Sequence, residues 1–202
     1  MAVSLAYPLM LHPVLTASPY TAVSESNPTL GIRLDLSVNS TSLRQGDKLI
    51  VTLSEHNLRL LPNEVKAASN WKHPELSLGP CGTVNFPIGF AIFQGGYAKD
   101  TIYAGKSLQL YNPGVYNCPM ILSRIDSYAF DPSSSHANVV GSCEPNPCLE
   151  LRVEDQVQIA GSWGDTPFFL GESTFHQFSP GVYTVAGGDE WGNLLVLNFV
   201  VV

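Results

Sequence analysis

Charge is what this chain lacks most. Only 13% of its 202 residues are charged, where soluble domains usually carry roughly 25%. Ten residues are basic, no basic run occurs and the net charge is -7, which leaves no surface suited to tracking nucleic-acid phosphates. From Met1 to Ser24 there is no charged residue at all, and Glu25 is the first. Long apolar runs are missing as well. A membrane-spanning helix needs about 20 apolar residues without breaks, and Pro8 and Pro13 interrupt the charge-free stretch. The absence of basic residues ahead of that stretch also argues against a signal peptide, so the chain is expected to be a mature exported protein.

Enzyme signatures are equally scarce. There is no Gly-x-Ser-x-Gly elbow, no His-Glu-x-x-His, no phosphate-binding loop and no haem-attachment motif, so no catalytic residue is assigned and the chain is not expected to be an enzyme. Its five histidines, His12, His56, His73, His136 and His176, are scattered. A cupredoxin would need Cys, His and Met close together near the C-terminus. Here Cys118-Pro119-Met120 has no adjacent His, and the region of His176 has neither Cys nor Met. Asp189 and Glu190 could offer oxygens to calcium, but that ion takes about six to eight ligands, so the pair is expected to form a solvated hairpin tip. Asp126, Asp131, Asp155 and Asp165 are too dispersed to pair as glycosidase acids. No metal or cofactor is expected.

Cysteine is limited to Cys81, Cys118, Cys143 and Cys148. An even count in an all-β chain suggests two disulfides and an oxidising compartment. Three pairings are possible. The stiff turn Glu144-Pro145-Asn146-Pro147 favours Cys143 with Cys148, and Cys81 with Cys118 is then the default. The four residues between Cys143 and Cys148 also suit zinc ligands, although a second close pair is missing. Asn39-Ser40-Thr41 is a glycosylation acceptor at Asn39 and agrees with export.

What is plentiful is strand and turn chemistry. Gly 17 and Pro 15 punctuate the chain too often for a mostly helical fold. Val3, Leu5, Tyr7, Leu9 and Leu11 alternate with other residues, which predicts a strand over residues 1–15. Residues 16–29 read as a polar linker and 30–202 as one domain. Ile32, Leu34, Leu36 and Val38 alternate with Arg33, Asp35 and Ser37; Gln45-Gly46-Asp47 then turns the chain into Leu49–Leu53, which predicts a hairpin-like pair. Glu64–Ala68 reads as a helical turn or two. Further strands are expected around Phe86–Ile92, Leu108–Leu110, Met120–Phe130 and Leu149–Ile159. Pro180-Gly181 turns the chain into Val182–Ala186; Gly187–Asn193 reads as turn, and Leu194–Val202 as the closing strand. The total is about eight to ten strands, in an all-β, immunoglobulin-like Greek-key sandwich. Pro-Gly-Val-Tyr occurs at 113–116 and 180–183, which suggests two corners whose tyrosine hydroxyl bonds nearby backbone.

The stretches Gly79-Pro80-Cys81-Gly82, Leu110–Pro119, Gly141–Cys148 and Ser179–Asn193 together resemble a family of exported prokaryotic proteins, chiefly archaeal. The resemblance covers residues 30–202 and implies an extracellular immunoglobulin-like sandwich with disulfides; no activity comes with it. The charge-free N-terminal strand looks like those of archaeal threads and bundling pili, which polymerise by donor-strand exchange. On these readings the chain is a cell-surface structural or adhesive subunit. Two readings of its N-terminal strand stay open: an edge strand of its own sandwich, or a donor strand in which Val3, Leu5, Tyr7, Leu9 and Leu11 complete a neighbouring copy in a homopolymer. The alternatives are a cupredoxin-like metal-binding or redox protein, and a module binding surface glycans through Trp163, Trp191, Tyr97 and Tyr103.

Overall fold

A computed structural model describes residues 21–73, 76, 87–108, 125–140, 150–152, 154–159, 162–164 and 175–202. The strand Val3–Leu11, all four cysteines, Met120 and the first Pro-Gly-Val-Tyr copy lie outside the described residues. The protein is all-β, with strands numbered here in chain order.

The first sheet has the order β1 (Thr21–Asn27), β2 (Ile32–Val38), β4 (Leu49–Asn57), β11 (Glu154–Ile159), with every neighbouring pair antiparallel. The second has the order β3 (Ser42–Leu43), β15 (Leu194–Val201), β14 (Gly181–Asp189), β6 (Ile88–Gln94), β7 (Ser107–Leu108), in which β3 alone runs parallel to its neighbour. Period-2 alternation puts Ile32, Leu34, Leu36 and Val38 on one face of the first sheet, joined by Leu49, Val51 and Leu53. They meet Tyr183, Val185, Leu195, Leu197, Phe199 and Val201 of the second sheet in one core. The predicted pairing of the Ile32 and Leu49 runs is thus observed, with Val38 opposite Val51.

The second sheet is apolar on both faces. Ala91, Phe93, Ala186 and Leu194 point away from the main core and pack under Leu76 and Ile102, the latter in a 3-10 turn over Ile102–Ala104. A third sheet, β10 (Glu150–Arg152), β9 (His136–Val140), β8 (Ser127–Phe130), β5 (Asn63–Lys66), lies at one end of the sandwich, and β12 (Ser162–Gly164) pairs with β13 (Phe175–Gln177). These additions bring the strands among the described residues to fifteen.

Three expectations change. Residues 21–27 are not linker but β1, paired with β2 over seven positions. Its single anchor in the core is Val23, and its turn is held by Asn27 Oδ1, which accepts from Leu30 N at 3.2 Å. Glu64–Lys66 is strand, not helix, because Asn63 and Val65 point inward while Glu64 and Lys66 point out. The run Leu149–Ile159 serves two sheets, its first part in β10 and its second paired with β4.

The tyrosine corner at 180–183 is present. The Tyr183 hydroxyl donates to Ser179 O at 2.9 Å, and the ring stacks on Phe199 at 5.4 Å with Phe178 edge-on at 5.1 Å. Tyr183→Phe keeps the ring contacts and loses one hydrogen bond, so urea denaturation should register a loss of about 1 kcal/mol; no change would mean the hydroxyl is equally well served by water.

Candidate functional site

Glu55 and Asp189 are placed by the same alternation that builds the core. On β4 the inward series runs Leu49, Val51, Leu53, Glu55, Asn57, and on β14 it runs Tyr183, Val185, Gly187, Asp189. Both carboxyls are fully buried. They come from facing sheets, and each alters the other's hold on its proton.

Their surroundings differ. Asn193 donates to Asp189 twice, from its backbone N to Oδ1 at 2.8 Å and from its side-chain amide to Oδ2. Neither oxygen of Glu55 receives a hydrogen from any N–H or hydroxyl donor among the described residues. Burial raises both acids. For Asp189 the donors of Asn193 work against burial. For Glu55 the charges of Asp189 and Asp35 add to burial, and its carboxyl stands well above the usual range. Of the two, Glu55 is the acid held further above its usual range and Asp189 the one supplied with donors.

The hairpin tip that carries Asp189 is not solvated, contrary to expectation. The strand continues through Gly187 and Gly188, and the turn is Glu190-Trp191-Gly192, with Gly192 at φ +99°. Trp191 Nε1 donates to Lys66 O at 2.8 Å, and its ring lies edge-on to Tyr128 at 5.8 Å and beside Phe130 at 6.1 Å. Glu190 Oε1 accepts from Ala68 N at 2.8 Å. Burial raises Glu190 to about 7, against the donation from Ala68. The third sheet thus closes over the tip.

The remaining sequence candidates do not converge. Asn39 bridges the ends of β2 and β4, its Nδ2 donating to Lys48 O at 2.9 Å and its Oδ1 accepting from Ile50 N at 2.8 Å. Trp191 belongs to the cap, Tyr97 packs edge-on to Phe93, and Tyr103 stacks on His73. Among the described residues no group of three or more His, Cys, Asp or Glu is arranged to hold a metal ion, and no helix is long and apolar enough to cross a membrane.

Among the described residues the exposed aliphatic side chains gather at opposite ends of the sandwich. Leu58, Leu60 and Leu61 follow β4 at the end where Asn57 pairs with Ile32. Leu60 is 88% and Leu61 74% exposed, yet their loop is fixed: the Asn57 amide donates to Leu61 O at 3.0 Å and Asp131 O at 2.9 Å. At the other end Val182 and Val200 are cross-strand partners, with Val202 just beyond. Thr21, opposite Val38, lies at this valine end. The edge of β15 is covered at both extremities, by β3 at Val200–Val201 and by Glu25, whose Oε2 accepts from Leu194 N at 3.1 Å.

No protein-family model matches the chain, and no curated protein matches it. Over 92% of its length it can be superposed on a solved β-glucosidase from Listeria innocua in complex with gluconolactone, at 10% identity, a TM-score of 0.30 and 16% of that chain.

Proposed function

We propose that the protein is an extracellular, cell-surface structural or adhesive subunit of immunoglobulin-like type that joins copies of itself head to tail through its N-terminal segment. The observation that carries this reading is the polar arrangement of its exposed apolar side chains, leucines at one end and valines at the other. Two different patches at opposite ends make a heterologous contact, and such contacts build open chains rather than closed dimers. The parallel pairing of β3 with the last strand supports the immunoglobulin-like assignment.

The N-terminal segment enters β1 at the valine end. Twenty residues reach roughly 65 Å when extended, ample to arrive at the leucine end of a second copy. There the alternating row Val3, Leu5, Tyr7, Leu9 and Leu11 supplies an uncharged apolar face, and backbone pairing along a strand edge supplies affinity.

Removing residues 1–20 tests this, since β1 begins at Thr21 and stays intact. The shortened chain should remain folded and monomeric in sedimentation, whereas the full chain forms polymers visible by electron microscopy. Leu60→Lys in the full chain should also abolish polymers. Equal assembly of all three proteins, or monomers throughout, would sink the proposal.

A further inference from the structure

We propose that Glu55 and Asp189 share one proton across the sandwich, and that this proton fastens the two sheets together more firmly in acidic surroundings than in neutral ones. The inference stands apart from how copies assemble.

The geometry gives the pair few alternatives. Glu55 comes from the first sheet and Asp189 from the second, both with no solvent exposure. Two carboxylates are both acceptors, so the contact between them is attractive only while one carries a hydrogen. Asp189 is provided with donors by Asn193; Glu55 is not. The proton therefore sits on Glu55 and points to Asp189.

The groups facing the pair reinforce this. On β2, Asp35 adds negative charge, and its own partners are Arg33 at 2.8 Å and His56 at 3.5 Å. On β1, Glu25 is engaged with Lys99 at 2.8 Å and with Leu194 N. On the closing hairpin, Glu190 adds a further acid, bonded to Ala68 N and to the Tyr128 hydroxyl of β8. Lys72 lies against Gly192 on the outside of the hairpin and is not among the causes that shift either acid. A metal ion is the other means of holding buried carboxylates together, and no such ligand group is arranged among the described residues.

The direction of the pH effect follows. An unfolded Glu releases its proton near pH 4.3, to roughly one unit, while the folded Glu55 retains it to higher pH. Over that interval the native state holds more protons than the unfolded chain, so stability falls as pH rises. It is fully present below the unfolded value and is lost as pH climbs through the folded one. Glu190, raised to about 7, contributes in the same sense, so the test must isolate Glu55.

Thermal unfolding of the full chain between about pH 5 and about pH 8 reads the effect. The melting temperature should be lower by roughly 5 °C at the upper pH. Glu55→Gln carries a permanent N–H donor in place of the titrating proton and should shrink that difference by about half or more. An unchanged difference in the variant, or a wild type more stable at the upper pH, overturns the proposal. So does a difference abolished by adding calcium alone, because a cation would then occupy the place assigned to the proton. If Glu55→Gln does not fold, infrared spectroscopy of the wild type at neutral pH decides: a protonated carboxyl band supports the shared proton, and its absence refutes it.

Discussion

Phe199→Ala is expected to be the most damaging single truncation, lowering stability by about 3–5 kcal/mol in denaturant unfolding. Phe199 is 1% exposed in the middle of the closing strand. It stacks on Tyr183 and meets Phe178 edge-on at 6.3 Å, so three rings from two neighbouring strands and their entry turn form one block. Removing the central ring forfeits its burial and leaves a void between rings held by a paired backbone on either side, which prevents collapse. Phe199→Leu, which refills much of the space, should recover more than half of the loss. Equal damage from both variants would show that ring stacking rather than volume dominates.

Gly187→Val should cost about 3 kcal/mol by the opposite mechanism, overpacking. A Cβ at position 187 would lie 2.7 Å from Leu53 Cδ1 and 3.4 Å from Leu36 Cδ1. Both leucines are completely buried in the facing sheet, so neither can swing aside. The sheets must separate beside Asp189, which also admits water to the acid pair. The variant should therefore melt lower and lose most of the pH dependence described above. A destabilised variant with the wild-type pH dependence would show that the strain is absorbed away from Asp189.

Both predictions concern the part of the molecule that could be read from residue order. Ile32 to Val38 and the closing hairpin follow a period of two with turn residues at their ends, and local chemistry decides them. Glu55 is legible in the same way: counting on from Leu49, Val51 and Leu53 puts it inside. The burial of Asp189 and Glu190 is not legible in residue order. The tip is enclosed by Lys66 O and Ala68 N, 125 and 122 positions away in the chain, and by rings on β8. No local pattern announces a lid of that kind. Gly187-Gly188 misleads for a related reason. Glycines next to acidic residues usually mark turns, but here one of them makes room for a leucine of the opposite sheet. β1 reads as linker because an edge strand with one apolar anchor offers too little contrast between its faces.

The register of β1 has a mechanical consequence. Ladder bonds between antiparallel strands lie perpendicular to the strand direction, and β1 is matched to β2 at all seven of its positions. A pull on Thr21 directed along the strand away from Asn27 loads those positions in shear, all at once, whereas a sideways pull would unzip them one at a time. Glu25 adds a second attachment, to Lys99 and to the backbone of the closing strand. Tension entering through the residues ahead of β1 is thereby spread over both sheets before any single bond carries it alone.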